Sequence, residues 1–308
     1  MRNLRFLFLL PIVVMLLSAG TDPKLPKVDS FTYQLKGTST MMDVGECSFS
    51  DWLAYIYNVA YNENTFELNV PLCDSLMPDT NLLPEKYKMV IRLFYRLDTQ
   101  HTPAFTKWHS YYGENDYLHW VDLPLTKEEL DNDTFKTHVK KYLQNPIVGV
   151  TYENAEKYCA WRALQMSKEK NVVASGYRVK GRLLTLDEWN KLNRQVGPRV
   201  NGNRSEIVDT VNKEGCYLLN IKTDKPCPSL LEGRKIYGEG TFCVYSFNPD
   251  SLGFYNLYGN VAEMLQEKGK AYGGSYMDHG NQATASRIIE YTAPAEWLGF
   301  RCVFDFTK

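Results

Sequence analysis

At 308 residues, with 44% apolar and 23% charged side chains, the chain is long enough to bury a sizeable core in one or two domains. Its net charge of −1 removes the electrostatic case for nucleic acid or an anionic membrane surface as partner. The 21 Tyr and 6 Trp, many beside Gly, Asn and Asp, suit a loop-rich fold closed by large side chains. They suit equally a surface that faces a carbohydrate or peptide.

The first twenty residues read as an address. Arg2 and Arg5 make a basic start, Phe6 to Leu17 an apolar stretch, and Ser18-Ala19-Gly20 a small-residue cleavage site. That apolar run is short for a membrane span, and no later segment matches it. Position 21 is Thr and no cysteine precedes Cys47, so the bacterial lipoprotein signal is missing. The expectation is an exported chain in the periplasm or cell envelope, not itself lipidated, that begins near Thr21. Residues 21–30, with two prolines, read as a linker.

Phe31 to Gly37 alternates apolar and polar side chains, as an opening strand does. From Asp43 the chain runs into an amphipathic pattern that puts Phe49, Trp52, Leu53 and Ile56 on one helix face, with Ser48 as N-cap. Lys86 to Leu97 has an apolar run that fits strand or helix. Phe105 to Trp120 is thick with aromatics, and its His109, Asp116, His119 and nearby Asp122 match no standard ligand spacing. The reading is an insert at about 62–145 within one domain spanning 31–308. Leu125 opens a capping-box-like pattern that predicts a helix start. Thr151 to Met166 predicts the clearest helix, capped by Thr151, with Ala155, Tyr158, Cys159, Arg162 and Ala163 along one stripe. Thr185 caps a second, shorter one through Asp187, Glu188 and Trp189. Asn201 to Gly240 is a polar, glycine-bearing excursion.

The stretch that organises the rest is Gly253-Phe-Tyr-Asn-Leu-Tyr-Gly-Asn-Val-Ala-Glu263, followed by Ala271-Tyr-Gly-Gly-Ser-Tyr-Met-Asp278 and Leu298-Gly-Phe-Arg-Cys-Val303. Between Asn256 and Glu263 lie an amide, a carboxylate and irregular backbone carbonyls, the hard oxygen donors that suit calcium better than zinc or copper. With Asn145 to Trp161 and Arg182 to Trp189, these make five ordered blocks over roughly half the chain. Their order resembles the formylglycine-generating enzyme family, the sulfatase-modifying factor domain. The Glu46, Ser48, Trp52 and Tyr55 block is also similar to one of its landmarks. The resemblance implies an α+β, C-type-lectin-like fold, loop-rich and low in regular secondary structure.

Other expectations come from that resemblance alone. It implies a disulfide between Cys159 and Cys302, which leaves Cys47, Cys73, Cys216, Cys227 and Cys243. Of these, Cys216 and Cys227 flank a loop and are able to pair, and one cysteine must be left over within a monomer. It implies a calcium ion held by the Asn256 and Glu263 side chains and the carbonyls of Leu257, Gly259 and Val261. The position for a second ion's Asp holds Tyr245, so no second ion is expected. The family's two copper-binding thiols fall at Asp278 and Ala283 here, with Ser275 and His279 remaining around them. A carboxylate and a methyl group supply no soft thiolate for Cu(I), so neither copper nor formylglycine chemistry is expected. Ala262 and Met264 replace two tryptophans that border the family's groove. The reading is a non-catalytic member, similar to the gliding-motility and type IX secretion members of Bacteroidetes, that acts as a scaffold or binding component with an envelope or outer-membrane protein partner. One alternative is a glycan- or peptide-binding module using Trp108, Tyr111, Tyr112 and Trp120. The other is an enzyme of altered chemistry at Ser275, Asp278 and His279.

Overall fold

The computed structural model describes residues 23–28, 31–62, 64–65, 67–85, 87–88, 90–91, 132, 142–196, 218–222, 240–247, 249–279 and 287–308. The leader, the helix start at Leu125, the aromatic insert's Phe105 to Trp120, Cys216, Cys227 and Ala283 lie outside the described residues, as does most of the excursion from Asn201.

Helices and sheets mix throughout. One sheet has the order β1-β2-β10-β5, formed by Thr32–Gln34, Thr40–Asp43, Cys302–Thr307 and Arg178–Leu183, with every pair antiparallel. A second has the order β8-β7-β6-β9, from Ile289–Glu290, Lys270–Tyr272, Ala262–Met264 and Leu298–Gly299, and β6 and β9 run parallel. A short β3–β4 hairpin, Tyr61–Asn62 with Glu67–Leu68, follows the first helix.

The period-2 alternation of strand side chains makes the first sheet a divider between two cores. Cys302, Phe304 and Phe306 of β10 and Met41 of β2 join one apolar cluster. Val303 and Met42, one residue along, join the other. The first cluster centres on Trp52, whose ring meets Tyr55, Tyr158 and Phe300 at centroid distances of 5.3, 5.7 and 5.9 Å. Its indole N–H, buried with the ring, donates to the Leu76 carbonyl at 3.0 Å. The second cluster stacks Trp189 on Tyr272 at 4.0 Å.

Helix α1 (Phe49–Ala60) begins where its N-cap dictates. Ser48 accepts from the Asp51 N–H while the Asp51 carboxylate accepts from the Ser48 N–H, a reciprocal capping box. Helix α2 covers Val70–Leu76. The expected helix at Thr151 is α3, Tyr152–Met166, with the Thr151 hydroxyl accepting from the Asn154 N–H. A short α4, Lys170–Ser175, closes on Gly176 in the left-handed conformation that favours glycine. Thr185 and Glu188 form a second capping box, and α5, Leu186–Val196, starts there. The ambiguous run from Lys86 is helical at 87–88 and 90–91.

Three devices fix α3 against the sheet. Gly181 on β5 has no side chain, and a Cβ there would lie 1.9 Å from the Cys159 carbonyl oxygen. A disulfide joins Cys159 to Cys302, with Cα atoms 5.4 Å apart. Arg162 then reaches Asp43 of β2 at 2.9 Å and lies over the Phe304 ring. Among the described residues, no helix is long and apolar enough to cross a membrane.

Candidate functional site

The loop from Gly253 to Glu263 can turn inward only because its residues accept unusual backbone angles. Asn256 and Asn260 both sit at positive φ, 49° and 60°, which Asn tolerates better than other side-chain-bearing residues. Gly259, at φ 76°, passes so close to the neighbouring chain that a Cβ would lie 2.5 Å from the Asn220 carbonyl. This geometry sends both asparagine side chains into the interior.

There they meet a buried carboxylate. The Asn260 Nδ2 donates to Glu46 Oε1 at 2.8 Å, and the Asn256 Nδ2 to Glu46 Oε2 at 3.1 Å. The same two nitrogens lie against the chain at 242–244. Asn260 donates to the Phe242 carbonyl at 3.2 Å, and Asn256 to those of Val244 at 3.0 Å and Cys243 at 3.4 Å. Asn260 Oδ1 accepts from the Phe242 N–H and the Asn220 Nδ2. Glu46 is 3% exposed.

Glu263, on β6, has a different partner. Arg301, in the link between β9 and β10, donates its Nε to both Glu263 oxygens at 3.1 and 2.9 Å, and its Nη2 to Oε1 at 2.6 Å. The Tyr272 hydroxyl donates to Oε2. Arg301 spends its remaining donors on the carbonyls of Asp43, Val44 and Tyr255. Both members of the pair are essentially inaccessible, at 0% and 1% side-chain exposure.

Two carboxyl groups and one guanidinium therefore share a buried interior. Desolvation by burial pushes the Glu46 carboxyl up to about 8; Arg301 pulls against this and Glu263 adds to it. Burial also lifts the Tyr272 phenol well above its usual range, with the Glu263 charge contributing. Burial works against the Arg301 charge, yet Glu263 and the bonds to it leave the guanidinium more firmly protonated than usual.

The five residues expected to hold calcium, Asn256, Leu257, Gly259, Val261 and Glu263, lie within this loop, and its two side chains already hold hydrogen-bond partners. Asn256 turns its NH2 group to Glu46, and Glu263 has both oxygens taken. The Leu257 carbonyl lies against Gly273, where a Cβ would come within 2.7 Å of its oxygen.

Ser275, Asp278 and Arg287 form a second cluster. Asp278 accepts from the Ser275 N–H and hydroxyl, both at 2.9 Å, and pairs with Arg287 at 2.7 Å. Its carbonyl accepts from the Lys222 N–H, and His279 lies across a parallel bridge from Lys222. Ser275 is buried rather than a surface group. Structure thus brings Ser275 and Asp278 together and ties His279 in through backbone. Ala262 and Met264 are buried in the core. Cys47, Cys73 and Cys243 are thiols.

Several of these partners carried no role in the sequence reading: Arg301, Tyr272, Asn260 and Arg287. Arg301 had a usable signal, since one cation inside the apolar run Leu298 to Phe304 must find a buried anion. Arg287 had none.

The chain thus combines a mixed α and β fold with an inward asparagine loop and a buried arginine–glutamate pair. Residues 42–306 match the sulfatase-modifying factor enzyme 1-like domain, and the chain belongs to that family. Among solved structures it is similar to the crystal structure of CarF, at 21% identity, covering 52% of this chain and 68% of that one with a TM-score of 0.35. It is also similar to Treponema denticola variable protein 1, at 11% identity, covering 91% and 93% with a TM-score of 0.44. PvdO from Pseudomonas aeruginosa is 16% identical, covering 53% and 63% with a TM-score of 0.31. No curated protein matches the chain.

Proposed function

We propose that this chain is an exported, non-catalytic member of its family that works as a scaffold or binding component of a bacterial envelope complex, such as gliding-motility or type IX secretion machinery. Within this reading its frame is the C-type-lectin-like one. The observation that carries it is Asp278. The resemblance puts a copper-binding thiol there, and the residue present is a carboxylate tied to Ser275 and Arg287. Such a group is a hard, already neutralised donor and offers Cu(I) nothing to bind. Ala283 supplies a methyl group at the other thiol position. The leader reading of residues 1–20 supports export, and an oxidised Cys159–Cys302 pair is consistent with it.

The test combines chemistry with recovery. Full-length protein is assayed for Cu(I) binding and for oxidation of a cysteine-containing peptide, and in parallel is isolated from its own envelope under mild detergent. The expected result is no copper, no turnover and a stoichiometric envelope partner. Peptide oxidation would end the non-catalytic reading; recovery of the chain alone would end the scaffold reading.

A further inference from the structure

We infer that Arg301 is this chain's built-in cation: its guanidinium neutralises Glu263, the one carboxylate calcium would draw on at the Asn256–Glu263 loop, and the loop closes without a metal. The inference stands apart from the question of catalysis.

Oxygen arithmetic comes first. Calcium takes six to eight oxygens at roughly 2.3–2.6 Å. Glu263 is the sole carboxylate in the expected set, and its two oxygens already accept four hydrogen bonds, three from Arg301 and one from Tyr272. A cation at that contact distance from either oxygen must displace one of those donors. It would also stand within a few ångströms of a buried guanidinium, where like charges repel far more strongly than in water.

The guanidinium, in turn, has nowhere else to go. It holds carbonyls from both ends of the chain, Asp43 and Val44 at β2 and Tyr255 in the loop, besides Glu263 on β6. Those are the tasks a structural ion performs: collecting oxygens from separate segments and neutralising a carboxylate. A planar, five-donor cation does this with fixed geometry. The amide of Asn256 is partly engaged as well: its NH2 group donates to Glu46 and to the carbonyls of Val244 and Cys243, so only its Oδ1, a neutral acceptor, is left to offer a metal.

The experiment is a calcium titration of the mature, disulfide-bonded chain, read by isothermal calorimetry, by thermal unfolding in EDTA against millimolar calcium, and by the NMR signal of the Arg301 Nε–H. The expected result is no binding heat, the same Tm in both buffers, and an Nε–H resonance that keeps its position. Calcium at a hundredfold its Kd would raise Tm by about 5 °C or more. A rise of that size, abolished in Glu263→Gln and accompanied by displacement of the Arg301 resonance, overturns the inference. A rise that Glu263→Gln leaves in place and that does not move the resonance puts the ion elsewhere and leaves the inference standing. The buried Asn220 Oδ1, which has no hydrogen-bond partner among the described residues, is the first place to look for such an ion. Should Glu263→Gln fail to fold, the Arg301 resonance in the unaltered chain decides alone.

Discussion

Glu46 makes the stability of this protein fall as pH rises through neutrality, and Glu46→Gln removes that fall. Burial raises its carboxyl from 4.5 to about 8, so the folded state binds this proton more tightly than the unfolded state does. The sign follows from linkage: the contribution is fully present below about 4.5 and is lost progressively as pH climbs through 8. Between about pH 5 and about pH 8 the loss for one such group is about 3 kcal/mol, at 1.36 kcal/mol per pKa unit. No discount for solvent screening applies, because the group is buried. Asp250 is also raised, by partial burial, and adds a same-signed slope just above its usual value of 3.8. Glu188 has the opposite sign: burial opposes its charge, but the bonds from Arg182 win and lower it, so its contribution is lost only as pH falls below 4.5. The assay is denaturant unfolding by tryptophan fluorescence at both pH values, for the native chain and for Glu46→Gln. At the lower pH the variant is weaker by about 1 kcal/mol, because a glutamine NH2 group faces an asparagine NH2 where the protonated acid has a hydroxyl oxygen able to accept. At the higher pH it is the more stable of the two. Parallel pH profiles for both proteins would refute the reasoning.

Two further outcomes test the packing. Reducing the Cys159–Cys302 bond, which closes a loop of sequence separation 143, lowers stability by up to about 5 kcal/mol in the chain-entropy treatment; unchanged unfolding in reductant would count against the bridge. Gly181→Ala places a Cβ 1.9 Å from the Cys159 carbonyl, an overpacking that costs about 3 kcal/mol or more; differential scanning calorimetry with an unshifted Tm would show that α3 does not sit on β5 as described.

Where sequence was informative, the reason was local chemistry. Ser48, Thr151 and Thr185 announced helix starts because a cap is a contact between residues three apart. The Cys159–Cys302 pairing came through the family resemblance, since spacing alone cannot match cysteines so far apart. The asparagine loop was read for its oxygen content. What sequence could not reveal was the direction in which each amide faces and which cation reaches Glu263 first. Both depend on Glu46, Tyr272 and Arg301, which lie far from one another along the chain and meet only when β2, β6, β7 and the β9–β10 link assemble. The Ser275–Asp278 contact was local enough to find, being the same i to i+3 pattern as a helix cap, but Arg287 lies nine residues further along the chain.

The two clusters differ in what they do for the fold. Arg301, Glu263, Glu46 and the asparagines lie wholly inside, and each polar contact there ties one segment to another. Leaving either Arg301 or Glu263 unpaired in that interior would cost several kcal/mol. Asp278 and Arg287 lie nearer the surface, with side-chain exposures of 15% and 41%, so their ion pair is screened and contributes about 1 kcal/mol at most.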